Sequence, residues 1–353
     1  MNSFRLLGAV GLFALAAPAA WAQSISPASY SATINVGQTI TIDKTITLAP
    51  SGATKVDVVF LADNTGSMYG TVANAQAGAT SIMNGLTSGA DYHFGVARYY
   101  GDPSEYGMTP SSSFNYLTPL SSSVASAQTG INSWEANGGG DTPEANYFAL
   151  KQTADTSAWR PDAQRIVVWF GDATSHTETT THADAVNALT NAGAKVVAFN
   201  NGSAGYGIDG AYGADANQAS SVVGAVGGSL TNNFTSLTSS EFVTKVTEQI
   251  SAASSSLDLF FSSNLVGSGL TLGFTCTDVL GCDNVGGGES RTFRLSITGN
   301  LAGTYSFDVF ARGVAATEHD VITVAAVPEP SAALMVLGGV GLAGWMARRR
   351  KQA

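Results

Sequence analysis

The chain has 353 residues, with 16 basic against 26 acidic side chains and a formal net charge of −10. Setting aside five bases (Arg5, Arg348, Arg349, Arg350, Lys351) and one acid (Glu329) near the ends leaves 11 bases and 25 acids, a net of −14. That balance excludes binding to nucleic acid or to an anionic membrane surface through bulk charge. The 40 glycines have no period, which excludes a collagen-like rod.

Residues 1–22 carry Arg5, an apolar run over 6–17 and then Ala20-Trp21-Ala22. A basic residue, a short apolar stretch and a small-x-small site spell a secretory signal. Export permits disulfides. Cys276 and Cys282 are the only two cysteines, so they are expected to form one short bridge.

Residues 23–52 alternate β-branched and polar side chains: Ile34, Val36, Thr39-Ile40-Thr41-Ile42 and Thr45-Ile46-Thr47-Leu48. Gly37 and the pair Asp43-Lys44 punctuate the pattern, which predicts two short half-buried strands. Residues 255–326 read the same way, with strands expected over 257–261, 270–275, 292–297, 304–310 and 320–324. Two strands alone would be marginal without partners. The economical arrangement is therefore a β-sandwich interrupted by the segment between them; the alternative is a separate arm followed by a sandwich.

Residues 53–254 alternate strand and helix. The run 56–62 is apolar except for Asp57, as in a strand buried on both faces. Val72, Ala75, Ala79, Ile82, Met83 and Leu86 then recur at helical spacing. Strands are expected over 92–100, 114–117, 165–170 and 195–200, and near Ser229. Helices are expected over 124–134, 183–192, 219–226 and 241–254, with another starting at Pro143 on a Thr142 N-cap. This alternation predicts an α/β fold with a doubly wound, mostly parallel sheet.

Oxygen ligands gather on three loops of that sheet. They are Asp63, Thr65 and Ser67 after the first strand, Asp141 and Glu144 before a helix, and Asp172 after the strand at 165–170. Parallel strands place these loops on one edge, where open α/β sheets bind ligands. Carboxylates and hydroxyls without cysteine suit Mg²⁺, Mn²⁺ or Ca²⁺ rather than zinc. His176 and His182 are assigned surface or supporting roles. Asp209 and Asp215 are assigned to a solvated loop in preference to the ligand face, and Tyr99, Tyr100, Tyr106, Tyr206 and Tyr212 are divided between a contact rim and packing positions. A triad of Ser67, His176 and Asp172 would leave Thr65 and Glu144 unexplained, and no Gly-x-Ser-x-Gly surrounds Ser67.

Over about residues 53–254 this pattern resembles a von Willebrand factor type A domain, and more closely the integrin β-subunit version. Asp63-x-Thr65-x-Ser67 matches that family's metal-ion-dependent adhesion site. Asp141-Thr142-Pro143-Glu144 and the stretch Asp172-Ala173-Thr174-Ser175-His176 match its two other segments. The resemblance implies that Ser67, Thr65 and Glu144 face the ion and that Asp63 and Asp172 bind directly or through water. It implies a flanking second site using Asp141 and Asp102, and insertion of the domain into a β-sandwich. The sequence departs from the family at Gly70 and Thr71, where paired acids are expected, and at Gly139, where a second-site ligand is expected.

At the other end, 327–353 holds Pro328-Glu329-Pro330, an apolar run over 332–347 and a basic cluster. The run is at the short limit of a membrane span, and the bases would stay cytoplasmic. The three-part order resembles the PEP-CTERM sorting signal of Gram-negative bacteria. It implies transient anchoring in the inner membrane, processing by an exosortase, and release to the envelope or an exopolysaccharide matrix.

The expected function is that of an exported adhesion or binding protein rather than an enzyme. A divalent cation would bridge it to an acidic group of a protein or matrix partner. The alternatives are a matrix or biofilm structural protein whose metal only holds loops, and a metal-assisted hydrolase.

Overall fold

The computed structural model describes residues 23–326 except 51, 88, 140, 141 and 315. The segment 1–22, Asp141, and Pro328, Glu329 and Pro330 in 327–353 therefore lie outside the described residues.

Three strands open the chain: β1 (Ser24–Ser26), β2 (Ser29–Asn35) and β3 (Thr39–Thr47). Next come β4 (Lys55–Asp63), α1 (Tyr69–Leu86), β5 (Asp91–Tyr99), the short α2 (Pro110–Ser113), β6 (Phe114–Ser121) and α3 (Val124–Asn132). The α/β segment continues through α4 (Asn146–Thr156), β7 (Gln164–Gly171), α5 (His182–Ala192) and β8 (Ala194–Asn200). It closes with α6 (Gln218–Val226), β9 (Gly228–Thr231) and α7 (Ser239–Ser255). The chain then returns to strands: β10 (Ser256–Leu257), β11 (Phe261–Ser263), β12 (Leu270–Cys276) and β13 (Val285–Gly286), then β14 (Ser290–Gly299), β15 (Gly303–Ala311) and β16 (Thr317–Ala325).

The central sheet has the order β6-β5-β4-β7-β8-β9. All its pairs are parallel except β5 with β6. The antiparallel β6 lies on the edge, where Pro119 removes no ladder bond from an inner strand. Burial follows from two helix layers. Val58, Phe60, Val168 and Phe170 face α1 and α7, while Val59, Leu61, Val167 and Trp169 face α4 and α5. The chain leaves β4 toward β5 and β6, then crosses back to β7 on the other side of β4. The sheet therefore reverses its winding between β4 and β7, and ligand crevices open outside the strand ends at such a reversal.

Eight of the remaining strands form two facing sheets, β1-β3-β14-β12 and β11-β15-β16-β2, and β10 pairs separately with β13. Each mixes strands from before and after the α/β segment. β3 pairs antiparallel with β14, and β2 pairs parallel with β16. Ile34, Ile42, Leu295, Ile297, Phe307 and Ile322 pack between them. The bridge Cys276–Cys282 is formed.

Three expectations need correction. Asp43-Lys44 is not a break, because β3 runs unbroken from Thr39 to Thr47 with Lys44 buried. Its ammonium meets Glu318 and Asp320 from the facing sheet, so the charge is compensated where a core residue was due. The strand expected over 257–261 divides into β10 and β11, because Leu259 donates its N–H to Cys282 rather than to a ladder partner. The helix expected from Pro143 starts at Asn146. Glu144 is held extended by a parallel bridge to Ser175, which takes its backbone out of the helix.

Candidate functional site

The site lies at the reversal of the sheet. Asp63 ends β4 and Asp172 follows β7, the two strands that flank the crossover. Asp63 is fully buried. Its Oδ1 accepts the N–H of Thr65 at 2.8 Å, which folds the chain back into a tight loop. Its Oδ2 is buried without a hydrogen-bond donor. The Thr65 and Ser67 hydroxyls project from this loop 3.2 Å apart. Behind the loop, Asn64 donates its N–H to the Tyr99 carbonyl at 2.9 Å, tying it to β5.

A second segment closes over the loop. Asn137 donates to the Asn64 carbonyl at 3.0 Å and Gly66 to the Gly138 carbonyl at 3.2 Å. Gly139 has a φ of +82°, and a Cβ there would lie 3.1 Å from the Thr65 side chain and 3.4 Å from Oε1 of Glu144. The glycine is thus the residue that lets this strap approach, and the same contacts place the Glu144 carboxyl beside Thr65. Glu144 is buried and pinned through its backbone, donating to Thr174 at 2.8 Å and accepting from His176 at 2.9 Å. The Ser67 hydroxyl lies close enough to Asp172 to pull its carboxyl down against the larger effect of burial.

Five expected residues, Asp63, Thr65, Ser67, Glu144 and Asp172, therefore share one locus on the three loops. Its electrostatics are unfavourable as it stands. Burial, and next the neighbouring Asp172 charge, push the Asp63 carboxyl up to about 7. Burial also raises Asp172. Tyr99, packed beneath, is held well above its ordinary value by burial and then by the charge of Asp63, with Asp172 and Glu144 adding to it. A divalent cation relieves such a cluster, since opposite charge restores the ionised form that burial disfavours. The donors are hard oxygens, and the orphaned Oδ2 of Asp63 fits that role. Among the described residues no three of His, Cys, Asp and Glu are grouped so as to hold a metal ion by themselves.

The expected second site is less well supported. Asp102 is buried, but its Oδ1 accepts from the Ser104 N–H at 2.9 Å, the Ser104 hydroxyl at 2.7 Å and the Thr179 hydroxyl. That oxygen staples two loops together.

Other readings change. Asp209 is not solvated: it is buried and accepts N–H groups from Ser220 at 2.8 Å and Gly205 at 3.3 Å, closing its own loop. Tyr99 is not part of a rim. Its hydroxyl donates to the Phe170 carbonyl and accepts from the Trp169 indole in the core. Tyr106 and Tyr206 are exposed, and so is Tyr69 at the start of α1, which the sequence reading missed. His176 is buried between Glu105 and Glu178, with its ring against Tyr212. Asn200 was missed too. Its side chain joins Gly202, Ser203, Tyr206, Ile208 and Asn232, and so shapes the loop after β8. An Asn ending an apolar strand was the available signal.

Comparison with known proteins was made on this basis. Residues 57–249 match the family model of the von Willebrand factor type A domain, and residues 326–351 match that of the PEP-CTERM protein-sorting motif. No curated protein matches the chain. Among solved structures, a von Willebrand factor type A protein from Catenulispora acidiphila is 16% identical with a TM-score of 0.44, over 84% of this chain and 72% of that one. The pilus adhesin SpaC from Lactobacillus rhamnosus GG, in its open conformation, is 10% identical with a TM-score of 0.38, over 81% of this chain. The match spans 45% of that adhesin.

Proposed function

Because this chain belongs to the von Willebrand factor type A domain family and carries a PEP-CTERM sorting motif, we propose that it is an exported, cation-dependent binding protein rather than an enzyme. The motif implies a precursor held at the membrane by its C-terminus and processing by an exosortase. The finer reading places the processed protein in the envelope or extracellular matrix of a Gram-negative bacterium.

Thr65, Ser67 and Glu144 would hold a Mg²⁺ or Mn²⁺ ion, with Asp63 and Asp172 fixing the shell directly or through water. When bound, the ion supplies an open coordination position that accepts a carboxylate oxygen from an acidic protein or matrix partner. The chain does the rest. The Thr65 N–H orients Asp63, the Asn137–Gly139 strap presses Glu144 toward Thr65, and Ser67 positions Asp172. The observation that carries the reading is the buried, donor-free Oδ2 of Asp63 at the sheet reversal, beside a second carboxylate and two hydroxyls.

Calorimetric titration with Mg²⁺ and Mn²⁺ tests it. The wild type should bind one ion, and Asp63→Ala should lose affinity by more than about 100-fold, beyond what removing an outer-shell partner costs. A carboxylate-bearing peptide should bind only with the ion present and dissociate on chelation. Equal ion affinity in Asp63→Ala would overturn the reading. Ion binding without any peptide response would favour a metal that only holds loops.

A further inference from the structure

The sandwich buries a group that the adhesion reading leaves unused. Lys44 on β3 and Glu318 and Asp320 on β16 occupy inward positions on facing sheets. Alternation puts Lys44 in line with Ile42 and Ile46, and the two acids in line with Ile322 and Val324. All three are buried. The Lys44 ammonium touches Oε1 of Glu318 and lies 3.4 Å from Oδ2 of Asp320. The outer oxygens, Oε2 of Glu318 and Oδ1 of Asp320, have no hydrogen-bond donor.

As an ion pair this cluster is poor. Two carboxyls face one ammonium, and removing three ionisable groups from water is compensated only when every polar atom is satisfied. Burial, with the adjoining Asp320 adding to it and Lys44 pulling the other way, raises Glu318 to about 7. Exclusion from water favours the neutral, nucleophilic amine of a lysine in general, and a carboxyl in contact with the ammonium can serve as the base that takes its proton.

We propose that Lys44 and Glu318 condense to an intramolecular amide across the two sheets, with Asp320 moving the protons. The Lys44 Nζ bonds to Cδ of Glu318, and one Cδ–O bond breaks. Asp320 takes a proton from the ammonium, which frees the lone pair for attack. It then passes that proton to the departing oxygen, and a second proton from nitrogen follows. Two protons from Lys44 and one oxygen from Glu318 leave as water, and Asp320 ends as it began. No oxidant, cofactor or activated intermediate enters. The product removes one positive and one negative charge from the core and leaves a neutral amide beside Asp320 as hydrogen-bond acceptor. Only folding brings the partners together, because they are 274 residues apart in sequence.

Peptide mapping of the exported protein, reduced and digested with trypsin, decides the matter. The expected product is a branched peptide joining the Lys44 and Glu318 segments, lighter than their sum by one water, with no cleavage after Lys44. Recovery of a peptide ending at a free Lys44, with an unmodified Glu318 peptide, would overturn the proposal. Linkage of Lys44 to Asp320 would overturn the assignment of acceptor and proton carrier. Lys44→Arg keeps the positive charge but should give no branched peptide. Asp320→Asn should form it about 100-fold more slowly on refolding, the scale of a lost general acid–base group. An unchanged rate there would remove Asp320 from the chemistry.

Discussion

Carboxylates gather in two clusters of the molecule, and the two are treated differently. At the sheet reversal of the α/β domain, Asp63, Asp172 and Glu144 sit with hydroxyls, and the side chains placed with them bring no cation. In the sandwich, Glu318 and Asp320 meet Lys44. Where the chain supplies its own positive charge the cluster is closed off in a core. Where it supplies none, the cluster lies at a loop edge, with the Ser67 side exposed. On the proposed reading, the difference separates a device that holds the protein together from one that takes a cation from solution.

The strongest way to break the comparison is to remove the internal cation. Measured against protein in which Lys44 is still a free ammonium, Lys44→Met leaves two buried carboxyls without it and should cost about 3–5 kcal/mol. Chemical denaturation measures this, and adding Glu318→Gln and Asp320→Asn should recover part of the loss. The sign with pH is fixed by Glu318, raised from 4.5 to about 7 even with Lys44 pulling it down, so losing Lys44 moves it in the same upward direction. The folded state holds the proton more tightly, so the Lys44→Met protein should be most stable below about 4.5 and lose stability as pH rises above that value, through 7.

The other cluster should show the same trend until a cation is added. Asp63 is raised from 3.8 to about 7, so chelated wild-type protein should lose thermal stability as pH rises through that window. Mg²⁺ should flatten the trend near pH 7, and Asp63→Asn should flatten it without Mg²⁺. A slope in chelator that Asp63→Asn leaves unchanged would place the titration elsewhere.

Two smaller effects sharpen the contrast. Replacing Cys276 and Cys282 by Ser opens a six-residue separation and should cost about 2 kcal/mol in denaturant, with ion affinity unchanged. Asp209→Asn keeps one acceptor for the Ser220 and Gly205 amides and should cost about 1 kcal/mol. Calorimetry should again find ion affinity unchanged, since that carboxylate closes its own loop.

How much of this was legible follows from how local each feature is. The Asp63-x-Thr65-x-Ser67 loop was readable because its geometry is set by a hydrogen bond two residues long. The parallel sheet was readable because β4, β7 and β8 are apolar along nearly their whole length. The helix start was misplaced because Glu144 is held by Ser175, a partner 31 residues away whose bridge leaves no local signature. Tyr99 was misassigned because both faces of β5 are covered, so alternation along the strand does not separate inside from outside. Lys44 stood at an inward position of a clean alternation, but its partners lay at the far end of the chain. The charge was therefore taken as a break in the strand.

The placement of β16 has a mechanical consequence. This last strand runs between β15, antiparallel to it, and β2, parallel to it, and the chain leaves the described fold at its end. A pull applied beyond residue 325 along the strand therefore loads two ladders in shear, so their hydrogen bonds resist together instead of opening one at a time from an edge. With β2 on the far side, part of that load passes directly to the first strands of the chain, bypassing the inserted α/β domain.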